Sequence, residues 1–291
     1  MLLLTLSLIW GSSFILIKKS LLALTPLQTG SLRVLISALA FLPWVIWRRR
    51  HIPWKGILPV IVFALCEVGI PPFLYALAQT RIDSSTAGIL NSLVPLFTLI
   101  TGAMFFAIGV AGRDIAGVLL GLAGAILLVG GRDFAFRSAD LYGLLVVLAT
   151  ILYAFAGNIL QTRLSTVSAL DISAMAFVSM GIPASAVLMF EGLPEVSAFT
   201  LPSLAAVAIL SLVGSALAIV LFSRLVQLAG ALLASFVTYL IPVVALIWAV
   251  ADGEAIGALQ LLALGSILAG VALVTRPRNG RRRVPDTGGA C

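Results

Sequence analysis

Glu67 and Arg33 are ionisable residues set inside long apolar runs, and each could do chemistry there. Glu67 lies eleven residues into a run that ends near Ala78. A charged carboxylate at the middle of a bilayer costs about 2.5–3.5 kcal/mol, judged from aspartate insertion. A fixed ion pair, a water-filled cleft or uptake of a proton relieves that cost, and the last makes Glu67 the candidate proton-coupling group. Arg33 sits two turns into its own run, roughly 10 Å deep at 1.5 Å per residue. Its guanidinium can hold a carboxylate through paired hydrogen bonds, reach Glu67, or clamp two helices together. Lys18 is a third candidate cation, close enough to a span end to snorkel outward as well. Gln79, Asn91, Gln161 and Thr238 could add neutral hydrogen bonds to a small-molecule substrate. Trp10, Tyr75, Tyr153 and Tyr239 lie within spans and either stack on such a substrate or pack.

The scaffold that must position these groups follows from composition. Apolar residues make up 61% of the chain and charged residues 10%, with mean hydropathy +1.18. Soluble domains carry about 25% charged residues. A soluble enzyme, a nucleic-acid reader and a disordered scaffold are therefore excluded. An all-α integral membrane protein embedded in lipid is expected. Cys66 and Cys291 form no disulfide framework. His51 is the only histidine and falls in a basic loop, so no histidine-based metal or catalytic site is expected. No GxxxxGK[ST] stretch occurs, which excludes ATP hydrolysis, and no cofactor is implied.

About 20 mostly apolar residues cross a bilayer as a helix. Such runs fall at Leu2–Leu24, Leu27–Trp47, Gly56–Ala78, Ser84–Ile108 and Asp114–Gly131. They recur at Asp140–Thr162, Leu170–Phe190, Leu201–Arg224, Gly230–Ala251 and Ile256–Thr275. The first run has no basic lead-in and reads as a span, not a removable signal. Ten transmembrane helices are expected, and lysine and arginine orient them. With both termini cytoplasmic, the inner side holds Arg48, Arg49, Arg50, Lys55, Arg113, Arg163, Arg224, Arg276, Arg278 and Arg281 to Arg283. The outer side holds only Lys18, Lys19, Arg81, Arg132 and Arg137, while acidic residues such as Asp83, Glu191, Asp252 and Glu254 gather there. The net charge of +7 is thus mainly a topology signal, and the arginine-rich tail can also touch anionic lipid.

The halves resemble each other. An offset of 147 lays Leu74-Tyr75 on Leu221-Phe222, Ala87 on Ala234 and Pro95 on Pro242. An offset of 143 lays Trp10-Gly11 on Tyr153-Ala154 and Lys18 on Gln161. Residues 1–138 and 139–275 then form two five-helix repeats, and the odd count inverts the second; residues 276–291 are a basic cytoplasmic tail. Polar or small stripes mark inner faces: Ser7, Gly11, Phe14 and Lys18; Thr150, Ala154, Gly157 and Gln161. Ser84, Gly88, Asn91, Pro95 and Thr98 form another, as do Ala231, Ser235, Thr238, Pro242 and Ala245. Each reads either as close packing or as a cavity wall. Pro71, Pro72, Pro95 and Pro242 are expected to kink their helices. Gly117, Gly121, Gly124, Gly265 and Gly270 suit tight helix contacts.

Trp10-Gly11-Ser12-Ser13-Phe14, then Lys18, Pro26 and Arg33, resembles the opening of the EamA family of the drug/metabolite transporter superfamily. Ala76-Leu77-Ala78-Gln79 through Ala87-Gly88-Ile89-Leu90-Asn91 to Pro95-Leu96 is similar to that family's third-to-fourth-span signature. The likeness runs the length of the chain. It implies two inverted five-helix halves and export or exchange of small polar metabolites without ATP. It also implies a central cavity walled by spans 1–4 and 6–9, with spans 5 and 10 peripheral. The chain departs from the resemblance at Tyr153-Ala154, Gln161 and Ala176, and at Glu67, where a small or neutral polar residue is implied.

The expected function is secondary transport by alternating access, most simply export of amino acids or related metabolites from a bacterial-type cytoplasmic membrane. Arg33 and Lys18 would face a carboxylate, and Glu67 an ammonium group or a proton as coupling ion. The rivals are a multidrug exporter of lipophilic cations and, from another class, an intramembrane lipid-modifying enzyme. The enzyme needs a convergent acid–base set that the sequence does not display.

Overall fold

The computed structural model describes residues 1–48, 57–107, 112–130, 140–192, 194–234 and 237–275. Among them there is no strand, only helix and short connections. The helices are α1 (Leu2–Ser20), α2 (Pro26–Arg48), α3 (Ile57–Ala78), α4 (Ser84–Phe105) and α5 (Gly112–Gly130). They continue as α6 (Asp140–Arg163), α7 (Ala169–Glu191), α8 (Thr200–Ala229), α9 (Val237–Ala251) and α10 (Ala258–Thr275). Seven are long and apolar enough to cross a membrane, and α5, α9 and α10 contain shorter apolar stretches. In lipid, a helix is the one open-ended element that satisfies its own backbone, so apolar runs of this length fold this way.

Local chemistry sets the ends. Thr25 Oγ1 accepts from Gln28 N at 3.1 Å while Gln28 Oε1 accepts from Thr25 N at 3.0 Å. This reciprocal box starts α2 just before Pro26. Ser168 Oγ accepts from Asp171 N at the start of α7. α8 stops at Gly230, whose φ of +83° favours a residue without a side chain.

Two helices are wound more loosely in their middle. Leu65–Gly69 in α3 and Leu212–Leu217 in α8 are π-helical, each with one residue more per closed turn. In α3 the loose turn runs into Ile70 and then Pro71-Pro72, where a regular piece restarts. Pro95 likewise opens the second piece of α4 after a break at Ser92-Leu93. These three prolines therefore sit at interruptions, whereas α9 continues as helix through Pro242. Pro43 and Pro183, absent from the expected kinks, also lie inside helices.

The principal seams join α2 to α7 and α5 to α10, followed by those of α6 with α3 and α4. Glycines let these backbones meet. A Cβ built on Gly270 would lie 2.4 Å from the Gly117 carbonyl, and one on Gly124 would lie 2.9 Å from that of Ala263. Gly121 instead accommodates Leu96, and Gly265 faces open space, so it takes no part in the expected tight contact. Large apolar side chains cover much of the outside, among them Leu4, Leu39, Ile46, Ile182 and Ile247. Polar residues are buried instead: Arg33, Glu67, Gln79, Asn91 and Asn158 are each at most 9% exposed. That inversion is what a lipid solvent selects.

Candidate functional site

The buried polar residues surround a cavity of about 930 Å³ of non-atom space, solvent at its edge included. Its walls come from α1 to α4, α6 to α8 and the residues leading through Ala231 into α9. No described residue of α5 or α10 lines it. Trp10, Arg33, Glu67, Tyr75, Asn91, Tyr153 and Thr238, all expected from the sequence, are in the wall.

Glu67 lies on the π-helical turn of α3. Pro71 and Pro72 carry no N–H, so the Glu67 carbonyl lacks both the i+4 and the i+5 donor. The side chain is 5% exposed, and Oε2 has no hydrogen-bond partner among the described residues. Arg33 also faces the cavity, yet no ion pair joins the two residues among the described contacts. Arg33 Nε instead donates to Ser215 Oγ at 2.6 Å, and no bond to its Nη groups is seen among the described residues. The site thus presents a fixed cation and a separate acidic group to one space. A buried charge left unpaired is costly, so this arrangement favours a ligand or water that completes both.

The second π-helical turn supplies the Arg33 partner. It also leaves carbonyls that neighbouring helices satisfy. Trp10 Nε1 donates to the Gly214 carbonyl at 3.1 Å and Ser37 Oγ to that of Ser211 at 2.8 Å, while Ser215 Oγ, within α8 itself, donates to that of Leu210 at 3.2 Å. α1 and α2 are thereby fastened to the irregular centre of α8.

Aromatic rings form the remaining wall. Trp10 leans on Phe222 at 5.1 Å between centroids, Phe14 meets the edge of Tyr75 at 5.7 Å, and Tyr75 stacks on Tyr153 at 6.0 Å. The Tyr75 hydroxyl donates to Asn91 Oδ1 at 2.6 Å, fixing both side chains. Asn158 is not a wall residue; its Nδ2 ties α6 to α4 through the Thr98 carbonyl and Thr101 Oγ1, both at 2.9 Å.

Three expected site residues lie elsewhere. Lys18 is taken up by Asp252 and Glu254 at 2.7 and 2.8 Å, beyond the cavity wall. Gln161 Oε1 accepts from Ala231 N at 2.8 Å, capping the short helix before α9. Gln79 is buried at the end of α3, its amide atoms unpartnered, and is not a wall residue. The stripes divide in the same manner: Gly11 packs on Val244 and Gly88 on Ala245, while Phe14, Asn91 and Thr98 reach the cavity. The Tyr239 side chain, Ser235, Arg49, Arg50, His51, Lys55, Arg132, Asp133, Arg137 and residues 276–291 lie outside the described set. Ser13, Ser215, Phe177 and Phe222 are wall residues that sequence reasoning missed, because serine and phenylalanine in a membrane span have no distinctive spacing.

A likeness to known proteins agrees with this geometry. The sequence profile of the EamA-like transporter family matches residues 1–130 and again residues 141–276. YedA of Escherichia coli strain K12, named as an uncharacterized inner membrane transporter, is 28% identical over 278 residues, covering 92% of this chain and 87% of its own. Protein PagO of Salmonella typhimurium is 23% identical, covering 94% of this chain and 91% of its own. One solved crystal structure without a functional description superposes with a TM-score of 0.65 at 20% identity. It covers 94% of this chain and 95% of its own, a likeness of fold. With both profile matches spanning nearly all its residues, the chain belongs to the EamA-like transporter family, a family of transporters and not of enzymes.

Proposed function

We propose that the chain is a secondary active transporter of the cytoplasmic membrane that exports amino acids or related small metabolites by alternating access. The observation that carries this reading is the pair Arg33 and Glu67, which face one cavity with no direct ion pair between them among the described residues. A zwitterion answers both groups: its carboxylate meets the guanidinium, and its ammonium meets the carboxylate of Glu67. Asn91 and Thr238 contribute neutral wall positions, and Trp10, Tyr75 and Tyr153 contact the apolar part of the solute. When the solute leaves, a proton on Glu67 replaces the ammonium, which couples the two fluxes.

Ten spans in two inverted repeats, residues 1–138 and 139–275, complete the proposal, with both termini cytoplasmic. Two features support the repeat. The family profile matches twice. The offset of 147 carries Leu65 onto Leu212, so the two π-helical turns begin at corresponding positions. The YedA name, which places that relative in the inner membrane, supports the location.

The aromatic wall and Glu67 also suit a lipophilic cation, the second reading, but Arg33 in the same wall repels one. Counterflow in proteoliposomes loaded with amino acids or with cationic dyes separates the two. Exchange of zwitterions with none of the dyes is expected. Exchange of dyes alone overturns the amino-acid reading.

A further inference from the structure

Lys18, excluded from the cavity, belongs to a second polar cluster. Its ammonium is held between Asp252 at 2.7 Å and Glu254 at 2.8 Å, and Lys19 pairs with Asp252. Glu254, with a side chain only 4% exposed, does more. It accepts from Ser84 Oγ at 2.7 Å, Ser84 N at 3.3 Å and Ser85 N at 3.2 Å, and so caps α4. Gln260 on α10 reaches Ser85 and Thr86 beside it. The cluster therefore ties together α1, α4 and the connection from α9 to α10. It also stands directly past the cavity, since Ile17, the residue before Lys18, is a wall residue and 2% exposed.

The opposite end is built differently. Gln161 is the position that the offset of 143 pairs with Lys18, and it caps the helix before α9 with a neutral amide. The α2–α7 seam shows no such contrast. Arg48 and Trp44 hold Asp171 at one end, and Thr25 and Gln28 hold Glu191 and the Gly192 carbonyl at the other. That seam is pinned at both ends and suits a fixed axis. Among the described residues, charge fastens α1, α4 and α9 at this end and not at the other.

From this asymmetry we infer that Lys18, Asp252 and Glu254 form an ionic latch that closes one end of the cavity and must part each time that end opens. The inference rests on the alternating-access reading, but its test needs no substrate. A Ser13→Cys reporter in a Cys66→Ala, Cys291→Ala background places one thiol in the cavity wall. Its reaction with an impermeant maleimide is followed from each side, in vesicles of both orientations. Lys18→Gln and Glu254→Gln are expected to raise labelling from the latch end about fivefold or more. Combined, they should add little to either alone, because each acts through the other. Asp252→Asn, which caps no helix and so guards against loss of fold, should give a smaller rise. Gln161→Ala should leave the latch-end rate unchanged. Unchanged latch-end labelling in all three latch variants, or a double variant whose effect multiplies the single ones, overturns the latch. Failure of amino-acid counterflow with these labelling results intact would instead count against the substrate assignment alone.

Discussion

At the scale of single residues, the cavity is defined by two ionisable groups that make no direct ion pair among the described residues. Arg33 spends one donor on Ser215 and keeps the rest for the cavity, while Glu67 keeps an unpartnered oxygen. Removing a charge-assisted hydrogen bond typically costs about 1.5–3 kcal/mol, or roughly tenfold or more in affinity. Arg33→Ala is therefore expected to weaken carboxylate-bearing solutes at least about tenfold in counterflow competition while sparing cationic ones. Equal loss for both classes would mark Arg33 as a clamp between α2 and α8. Glu67→Gln preserves shape but cannot cycle a proton. It is expected to flatten the pH dependence of uptake into proteoliposomes, and an unchanged profile removes Glu67 as the coupling group. Both residues were legible in the sequence because an ion in an apolar run has no inexpensive explanation. Lys18 was legible as a charge but not as a latch, since its partners lie more than 230 positions away. Ser215 gave no signal at all, for a serine in a membrane span commonly bonds its own helix.

Elements show the same division between what local pattern dictates and what packing decides. Apolar run length located the helices, and Pro71-Pro72 marked the end of the loose turn in α3. No such marker precedes Leu212–Leu217, where the π-helical turn is stabilised from outside by Trp10 and Ser37. Glycine spacing marked α5 and α10 as suited to tight contacts but could not say that they pack on each other or which glycines meet. Gly270→Ala must push against the Gly117 carbonyl and the Gly121 backbone, an overpacking that costs about 1–3 kcal/mol. A clear fall in the melting temperature of the detergent-solubilised protein is expected. Gly265→Ala, facing open space, should stay within error. Equal effects would mean that helix propensity, and not the seam, sets the outcome. The latch also has a pH signature. Hydrogen bonds from Lys18 and Lys19 hold Asp252 below the usual aspartate range. Burial works upward on Glu254, but Lys18, Ser84 and Ser85 outweigh it and leave that carboxyl low as well. Asp83 nearby moves the other way, raised by burial and by Glu254 against the pull of Lys18. A lowered carboxyl contributes fully above its ordinary value and is lost only as pH falls through the lowered one. The ratio of latch-end to far-end labelling of the Ser13→Cys reporter, in which the thiol's own pH dependence cancels, should thus stay flat from about pH 8 to about pH 5. A rise already near pH 6 would assign the change to a group outside the latch carboxylates.

For the molecule as a whole, the question is which end faces the cytoplasm. Helix packing alone does not answer it, because a bundle built from the proposed inverted halves would look similar from either side. The answer lies in the asymmetry of charge: Arg48 to Arg50, Arg113, Arg163, Arg224 and the tail hold most of the arginine, whereas the latch end carries Asp83, Glu191, Asp252 and Glu254. Insertion retains basic segments on the cytoplasmic side, so the latch end is expected to face outward and the Asp171 end inward. The two cysteines make this testable. Cys66 lies on α3, is buried and is not a wall residue of the cavity, so a bulky maleimide should report Cys291 alone. In intact cells an impermeant maleimide should leave the protein unlabelled, and permeabilisation should expose one reactive thiol. Cys291→Ala should abolish that signal and confirm its source. Ready labelling of intact cells, lost in Cys291→Ala, would invert the assignment: the latch would then close the cytoplasmic end of the transporter.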